Sequence, residues 1–499
     1  MRPMYKRLVA TIAAAALNFT CAPASALERL VLRMPFLETT VSINLGDVET
    51  AAELIRSSPD LEDLFRASDG KLLSLIESIF LMPLPAEAKS LIQGSSGQPL
   101  LEQALFAAAQ LVDLKGVEQN PNSRILSEAL IRAERNGQSN ILGLLREIPG
   151  TEVSIDLSKL ATVALRLKSN QEDGVTLAKA GTAALPSSRF KTTQQGQWTR
   201  AEKRFAVRHR AQPLRLLILK PDPGTANGRL VVISHGLWDD PESFEGWGEF
   251  LAANGYTVLM PDHPGSNSTQ QQAMLAGDRP PPGPEELQLR PLDITSILDG
   301  IRDGQLLSAA GLDSESIAVI GHSWGGTTGL QLAGAFPTDR KLNRRCQNYQ
   351  DQERNLSWVL QCSWLSGIRQ AAVADNRVKA VVAVSPPLRL LFDPTSSKSV
   401  GANVLLVSGT RDWVVPSGPE ALNPMRETGA VRDGHRLVLV EGGSHFNLRS
   451  FSGETKPPVV GPLILAWLNE QLAVDQALTF SGGGWGDPSL RLIDVSNSL

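Results

Sequence analysis

The chain of 499 residues has little cysteine, little histidine, little tyrosine and little net charge. Three Cys and six His, scattered along the sequence, give no metal-ligand spacing, so no metal and no organic cofactor are expected. A formal net charge of −4 with no basic stripe excludes a nucleic-acid binder, which would have to neutralise phosphates. After the first residues no segment has 18 unbroken apolar side chains, so the mature chain should hold no stable membrane span. Hydrophobic residues at 42% and charged residues at 20% are ordinary for a globular protein, and the length exceeds what one domain usually holds.

The first 26 residues read as a secretory signal. "MRPMYKR" is basic, "LVATIAAAALNF" is apolar, and Ala24-Ser25-Ala26 is a small-residue cleavage site. Asn18 and Pro23 break the apolar run, which makes it a poor anchor. The expectation is export to the periplasm or beyond, with the mature chain starting near Leu27. Cys21 leaves with the signal. Cys346 and Cys362 then form an even pair in an exported chain and are expected as a disulfide.

Residues 27–170 are Leu/Ala-rich and read as a mainly α-helical N-terminal domain. "SSPDLEDLF" has Ser58 to cap and Pro59 at the first helical position. "QPLLEQALFAAAQLVDL" and "NPNSRILSEALIRAERNG" carry helical apolar spacing, and Asn136-Gly137 is a stop signal. Two similar segments, "VSINL" from Val41 and "VSIDL" from Val153, read as extended pieces followed by helices. They either pair at the two ends of the domain or are alike by chance. Polar, aperiodic sequence over 171–198 reads as a linker, and 476–499 as a flexible tail.

From about 199 to 475 the pattern is strand and helix in alternation. "LRLLILKP", "GRLVVISHG", "GYTVLMPDH", "SIAVIGHS", "VKAVVAVSPP", "NVLLVSGTRD" and "HRLVLVEGG" are short apolar runs, with helical segments between most of them. That order predicts a mostly parallel sheet covered by helices on both faces, with reactive loops at the carboxyl ends of the strands.

Gly321-His322-Ser323-Trp324-Gly325 fits G-x-S-x-G, with a strand before and a small-residue helix start after. A serine hydroxyl is a weak nucleophile and needs a base, a group to orient the base, and donors for the oxyanion. His445, just past the last strand, is the expected base. Asp412, just past a buried strand, is the expected orienting acid, and Asp393 is the runner-up. The order Ser323, Asp412, His445 is that of α/β-hydrolases. The oxyanion amides expected are those of Trp324 and Leu237, with Trp238 as the alternative to Leu237. His235 is expected to brace that loop, and His435 to be structural.

With those residues in place, "SHGLWDD", "PDHPGSNS", "RPLDITSILD", "GHSWGG" and "GTRDWVVP…GGSHF" together resemble the α/β-hydrolase superfamily. The motifs run from about 235 to 446. Within it the chain looks like predicted dienelactone-hydrolase-like exported bacterial hydrolases, which carry an extra N-terminal domain where residues 27–170 stand. The group is similar to platelet-activating-factor acetylhydrolases and polyester hydrolases. The resemblance implies ester hydrolysis through Ser323, Asp412 and His445, on a small-molecule, lipid or polyester ester. True dienelactone hydrolases use Cys where Ser323 stands, so the dienelactone itself is not implied.

The insertion of about 337–376, which contains the cysteine pair, reads as a lid stapled by the disulfide. Trp238, Trp413, Phe446 and Trp358 are the expected pocket aromatics, with gap-filling in core and loops as the other reading. A peptidase or acyltransferase on the same triad, or a non-catalytic binding module, are the competing functions. Protein partners are not legible.

Overall fold

The computed structural model describes residues 29–34, 39–45, 53, 100, 103, 112–115, 128–129, 132–133, 135–138, 140–190, 198–307, 311–348 and 351–499. The expected signal segment, the helix at Ser58 and most of the other two early helical segments lie outside them. The chain divides into two compact units, Met1–Ser96 with Leu105–Ala161, and Gly97–Ala104 with Thr162–Leu499.

The first unit contains a four-stranded sheet built from β1 (Arg29–Met34), β2 (Thr39–Asn44), β3 (Val112–Lys115) and β4 (Glu152–Asp156), in the order β2-β1-β4-β3. The unit also holds the helix Ile141–Glu147, and most of the segments read as helical from the sequence lie outside the described residues. The stretch "VDL" ends an apolar helical pattern in sequence yet forms β3, because it pairs antiparallel with β4. The two VSI segments are both strands of this sheet. They do not pair with each other: each pairs with β1, so that Val31 faces Ser42 on one side and Ser154 on the other. Gly137, at φ 71°, stands in the left-handed conformation that suits a helix stop.

The second unit is built on a nine-stranded sheet of β5 (Trp198–Phe205), β6 (Leu214–Pro221), β7 (Arg229–Ser234), β8 (Thr257–Asp262), β9 (Asp313–His322), β10 (Val378–Val384), β11 (Asn403–Gly409), β12 (Arg436–Val440) and β13 (Leu492–Asp494). Its order is β13-β12-β11-β10-β9-β7-β8-β6-β5. The strands from β8 through β12 are parallel neighbours, and antiparallel strands close both edges. The seven apolar runs read from sequence are β6 to β12. They are apolar throughout because both faces are covered: Leu230, Val232, Ile317 and Val319 join one core, Val231, Ile233, Ala318 and Ile320 the other.

Two boundaries differ from expectation. The helix Leu157–Ala180 runs past residue 170, and Ala178 is buried in the core of the second unit. The last residues are not a loose tail. Phe480 and Trp485 stack with ring centroids 5.2 Å apart, both buried, and β13 adds to β12 with Ile493 fully buried. Their apolar side chains outweigh the surrounding Gly and Ser.

The insertion after the helix Trp324–Leu332 is packed into the core. The Cys346–Cys362 disulfide is formed, and Cys346, Trp358, Cys362 and Trp364 belong to one buried cluster. Buried Glu420 accepts from the amides of Leu388 and Arg389, the Ser357 hydroxyl and the side-chain amides of Asn355 and Gln361. A carboxylate with that many donors fixes the insertion in place.

Candidate active site

The site stands at the carboxyl ends of β7, β9, β11 and β12, where parallel strands hand over to loops. Ser323 follows β9 directly and precedes the helix Trp324–Leu332. Its backbone lies at φ 52°, ψ −120°, a conformation that non-glycine residues adopt only under constraint. Two hydrogen bonds impose it: the Ser323 amide donates to the Val384 carbonyl at 2.9 Å, and its carbonyl accepts from Thr327 at 3.1 Å. The flanking glycines admit the turn. A Cβ on Gly321 would stand 2.0 Å from the Gly325 carbonyl oxygen, and one on Gly325 1.9 Å from that of Ser234.

His445 and Asp412 meet. His445 Nδ1 lies 2.9 Å from Asp412 Oδ2. An ionised carboxylate only accepts, so Nδ1 carries the proton and Nε2 is left with a lone pair. Asp412 is fully buried and its other oxygen accepts from the amides of Val414 and Val415. The runner-up acid, Asp393, caps the short helix Pro394–Ser397 through the Thr395 and Ser396 amides and accepts from Thr338. The loop bearing His445 is tied to the elbow by His322, the residue before Ser323. His322 Nε2 donates to the His445 carbonyl at 2.8 Å, and the two rings are 4.6 Å apart. Burial, then the neighbouring His445, keeps His322 neutral well below the usual histidine range.

The oxyanion loop follows β7. Gly236 lies against Ser323: a Cβ there would come within 3.3 Å of the serine Cβ. Trp238, at φ 60°, donates its amide to the Ser266 carbonyl at 2.7 Å and its indole N–H to Gln270. That amide is therefore engaged. The amides of Leu237 and Trp324 meet no acceptor among the described residues. Arg449 pairs with Asp239 at 2.9 Å and so joins the histidine loop to the oxyanion loop. Burial pushes the Asp239 carboxyl up, against the pull of Arg449.

The aromatic side chains divide. Trp413 and Phe446, adjoining Asp412 and His445, are about half exposed at 49% and 51%. Trp358 is buried, with the guanidinium of Arg345 4.6 Å from its ring centre. The Trp324 ring is buried against Trp364, 4.4 Å away, so only its backbone faces the elbow loop.

A second Ser–His–Asp chain lies behind the loop. Ser234 Oγ is 2.9 Å from His263 Nε2, and His263 Nδ1 is 2.8 Å from Asp293 Oδ2. All three are fully buried. Asp293 also accepts from Arg210 and His209, and Arg210 pairs with Glu286. Burial would raise the Asp293 carboxyl, but the bonds from His209, His263 and Arg210 hold it below the usual carboxylate range. Burial and the Arg290 cation bring His263 down to about 4. The sequence reading missed this cluster. A signal exists: Glu286, Arg290 and Asp293 share the helical spacing of Ile294, Ile297 and Ile301, placing charge on an apolar stripe.

No group of metal-ligating side chains occurs among the described residues. A cavity of about 570 Å³ lies at the opposite ends of β9 and β10, lined by Glu315, Arg377 and Lys379 among others, away from Ser323.

A family model for the α/β-hydrolase fold matches residues 229–344. A second, for an α/β-hydrolase of unknown function, matches residues 26–156. Both models describe α/β-hydrolases, and the nine-stranded, mostly parallel sheet with its surrounding helices is an α/β-hydrolase fold. That fold supports a hydrolase. No curated protein matches the chain. Among the described residues no helix is long and apolar enough to cross a membrane, and the disulfide is compatible with an oxidising compartment.

Proposed function

We propose that this α/β-hydrolase is an exported serine esterase that cleaves carboxylic esters through Ser323, His445 and Asp412. The observation that carries the reading is the Asp412–His445 pair, tied through His322 to the strained Ser323 elbow. Ser323 Oγ attacks the ester carbonyl while His445 Nε2 takes its proton. The oxyanion is held by the amides of Leu237 and Trp324. His445 then gives the proton to the departing alcohol, leaving an acyl-enzyme. Water, deprotonated by the same nitrogen, attacks the acyl group and releases the acid. Asp412 stays ionised and orients His445. No metal or organic cofactor takes part. Exposed Trp413 and Phe446 beside the triad favour an apolar acyl or alcohol group. Export rests on the N-terminal segment, with cleavage near Ala26.

Ser234 is not the nucleophile in this scheme, because it sits in strand β7 with its hydroxyl bound to His263 rather than in a strained strand-to-helix turn. The test is incubation with short and long p-nitrophenyl esters and a fluorophosphonate probe, beside Ser323→Ala. Turnover and labelling by the wild type alone support the reading. Turnover of peptides in preference to esters would favour a peptidase. Acyl transfer to added alcohols in preference to water would favour an acyltransferase. An inert wild type would favour a binding module.

A further inference from the structure

Arg290 is fully buried beside the oxyanion loop, and burial brings its pKa down to about 10. Its neighbours Asp293 and Glu286 are matched by Arg210. Arg290 Nε and Nη1 have no hydrogen-bond partner among the described residues. Its one bonded nitrogen, Nη2, donates to the His235 carbonyl at 2.6 Å and more weakly to the Gly236 carbonyl at 3.4 Å, and also lies 3.3 Å from His235 Nδ1. The guanidinium charge is thus directed at two peptide carbonyls rather than at a carboxylate.

His235 acts on the same peptide. Its Nε2 accepts from the His263 amide at 3.0 Å, so that nitrogen carries no proton. Burial, then the Arg290 cation, keeps the ring neutral. The single proton therefore sits on Nδ1, which donates to the Gly236 carbonyl at 2.7 Å. That carbonyl belongs to the same peptide unit as the Leu237 amide. In a trans peptide the C=O and N–H point in opposite directions. Fixing the Gly236 carbonyl toward His235 and Arg290 turns the Leu237 N–H out of the buried cluster. Donation to a carbonyl also polarises its amide and makes the N–H a stronger donor. A cation in a water-poor interior adds a field that favours negative charge nearby.

We propose that Arg290 and His235 are positioning residues of the oxyanion hole, which preset and polarise the Gly236–Leu237 peptide for the tetrahedral intermediate. This rests on the serine-esterase reading of Ser323. Neither residue touches substrate. Both act through the Leu237 amide, so their loss should weaken the transition state and leave ground-state binding alone.

The test measures kcat and KM on p-nitrophenyl butyrate, and inhibition by an alkyl trifluoromethyl ketone, which forms a tetrahedral adduct with the serine. The proteins are wild type, Ser323→Ala, Arg290→Met, His235→Ala and His235→Asn. Arg290→Met and His235→Ala should each lower kcat by about ten- to a hundred-fold, less than or near the loss of a direct donor. Affinity for the ketone should fall by a similar factor, with KM within about twofold. His235→Asn keeps a donor where Nδ1 sits and should recover most of kcat. A kcat and ketone affinity within about twofold of wild type in both Arg290→Met and His235→Ala would overturn the proposal. So would a rise in KM alone. If Arg290→Met does not fold by circular dichroism, the contrast between His235→Ala and His235→Asn decides: equal kcat in the two overturns it. A wild type that takes fluorophosphonate while Ser323→Ala does not keeps the esterase reading, whatever these variants do. A wild type that takes none overturns both.

Discussion

Ser323 holds a backbone conformation at φ 52° that costs a non-glycine residue on the order of 1–3 kcal/mol and persists only where the surroundings enforce it. Here the enforcing contacts are the Val384 carbonyl and the first turn of the following helix. The result sets Ser323, itself buried, in the turn after β9, whereas Ser234 has an ordinary strand position and its hydroxyl is bound to His263. Ser323→Ala is therefore expected to abolish fluorophosphonate labelling, and Ser234→Ala to keep it; labelled protein counted by intact mass decides between them. Asp412→Asn should leave the fold intact and lower kcat by about 10⁴-fold, because an amide there favours the wrong His445 tautomer. A loss below about tenfold would shift the orienting role elsewhere.

At the scale of elements, legibility followed the chemistry of each segment. β6 to β12 could be read because a strand covered on both faces is a short unbroken apolar run between turns. β5, "WTRAEKRF", is an edge strand with most of its residues exposed, so its charges hid it. β13 is short and follows Gly- and Ser-rich sequence, and its pairing with β12 is a tertiary fact. Ser323, His445 and Asp412 could be read because each lies on a loop at a strand end. Arg290, Asp293 and His263 could not be assembled, since the helix Glu286–Arg302 meets β8 and the oxyanion loop only in the fold. The same scale carries two predictions. Cys346→Ser with Cys362→Ser opens a loop of sequence separation 16 and should cost about 3 kcal/mol by chain entropy, read by urea denaturation. Truncation after residue 475 removes β13, Phe480 and Trp485 and bares the β12 edge, so a lower melting temperature and aggregation are expected. Unchanged melting would return these residues to the status of a loose tail.

For the molecule as a whole, buried neutral histidines set an acid limit. His263 is held at about 4 in the folded protein, while in the unfolded chain it titrates near about 6.5. Between those values the unfolded state binds more protons. Stability is therefore full above about 6.5 and falls as pH drops toward the folded value, by at most about 1.4 kcal/mol per pH unit for each such histidine. His235 and His322 shift in the same direction. Urea denaturation from pH 7 to 4.5 should show that decline, and a flat profile would contradict it. The central claim is that Ser323 is an activated nucleophile in an ester hydrolase. Its most direct measurement is fluorophosphonate labelling of the purified protein, with p-nitrophenyl ester turnover recorded on the same sample. The account predicts one label per chain, located on the peptide bearing Ser323, with turnover lost in step with labelling. Absence of label together with absence of turnover, in a folded wild type, would contradict it.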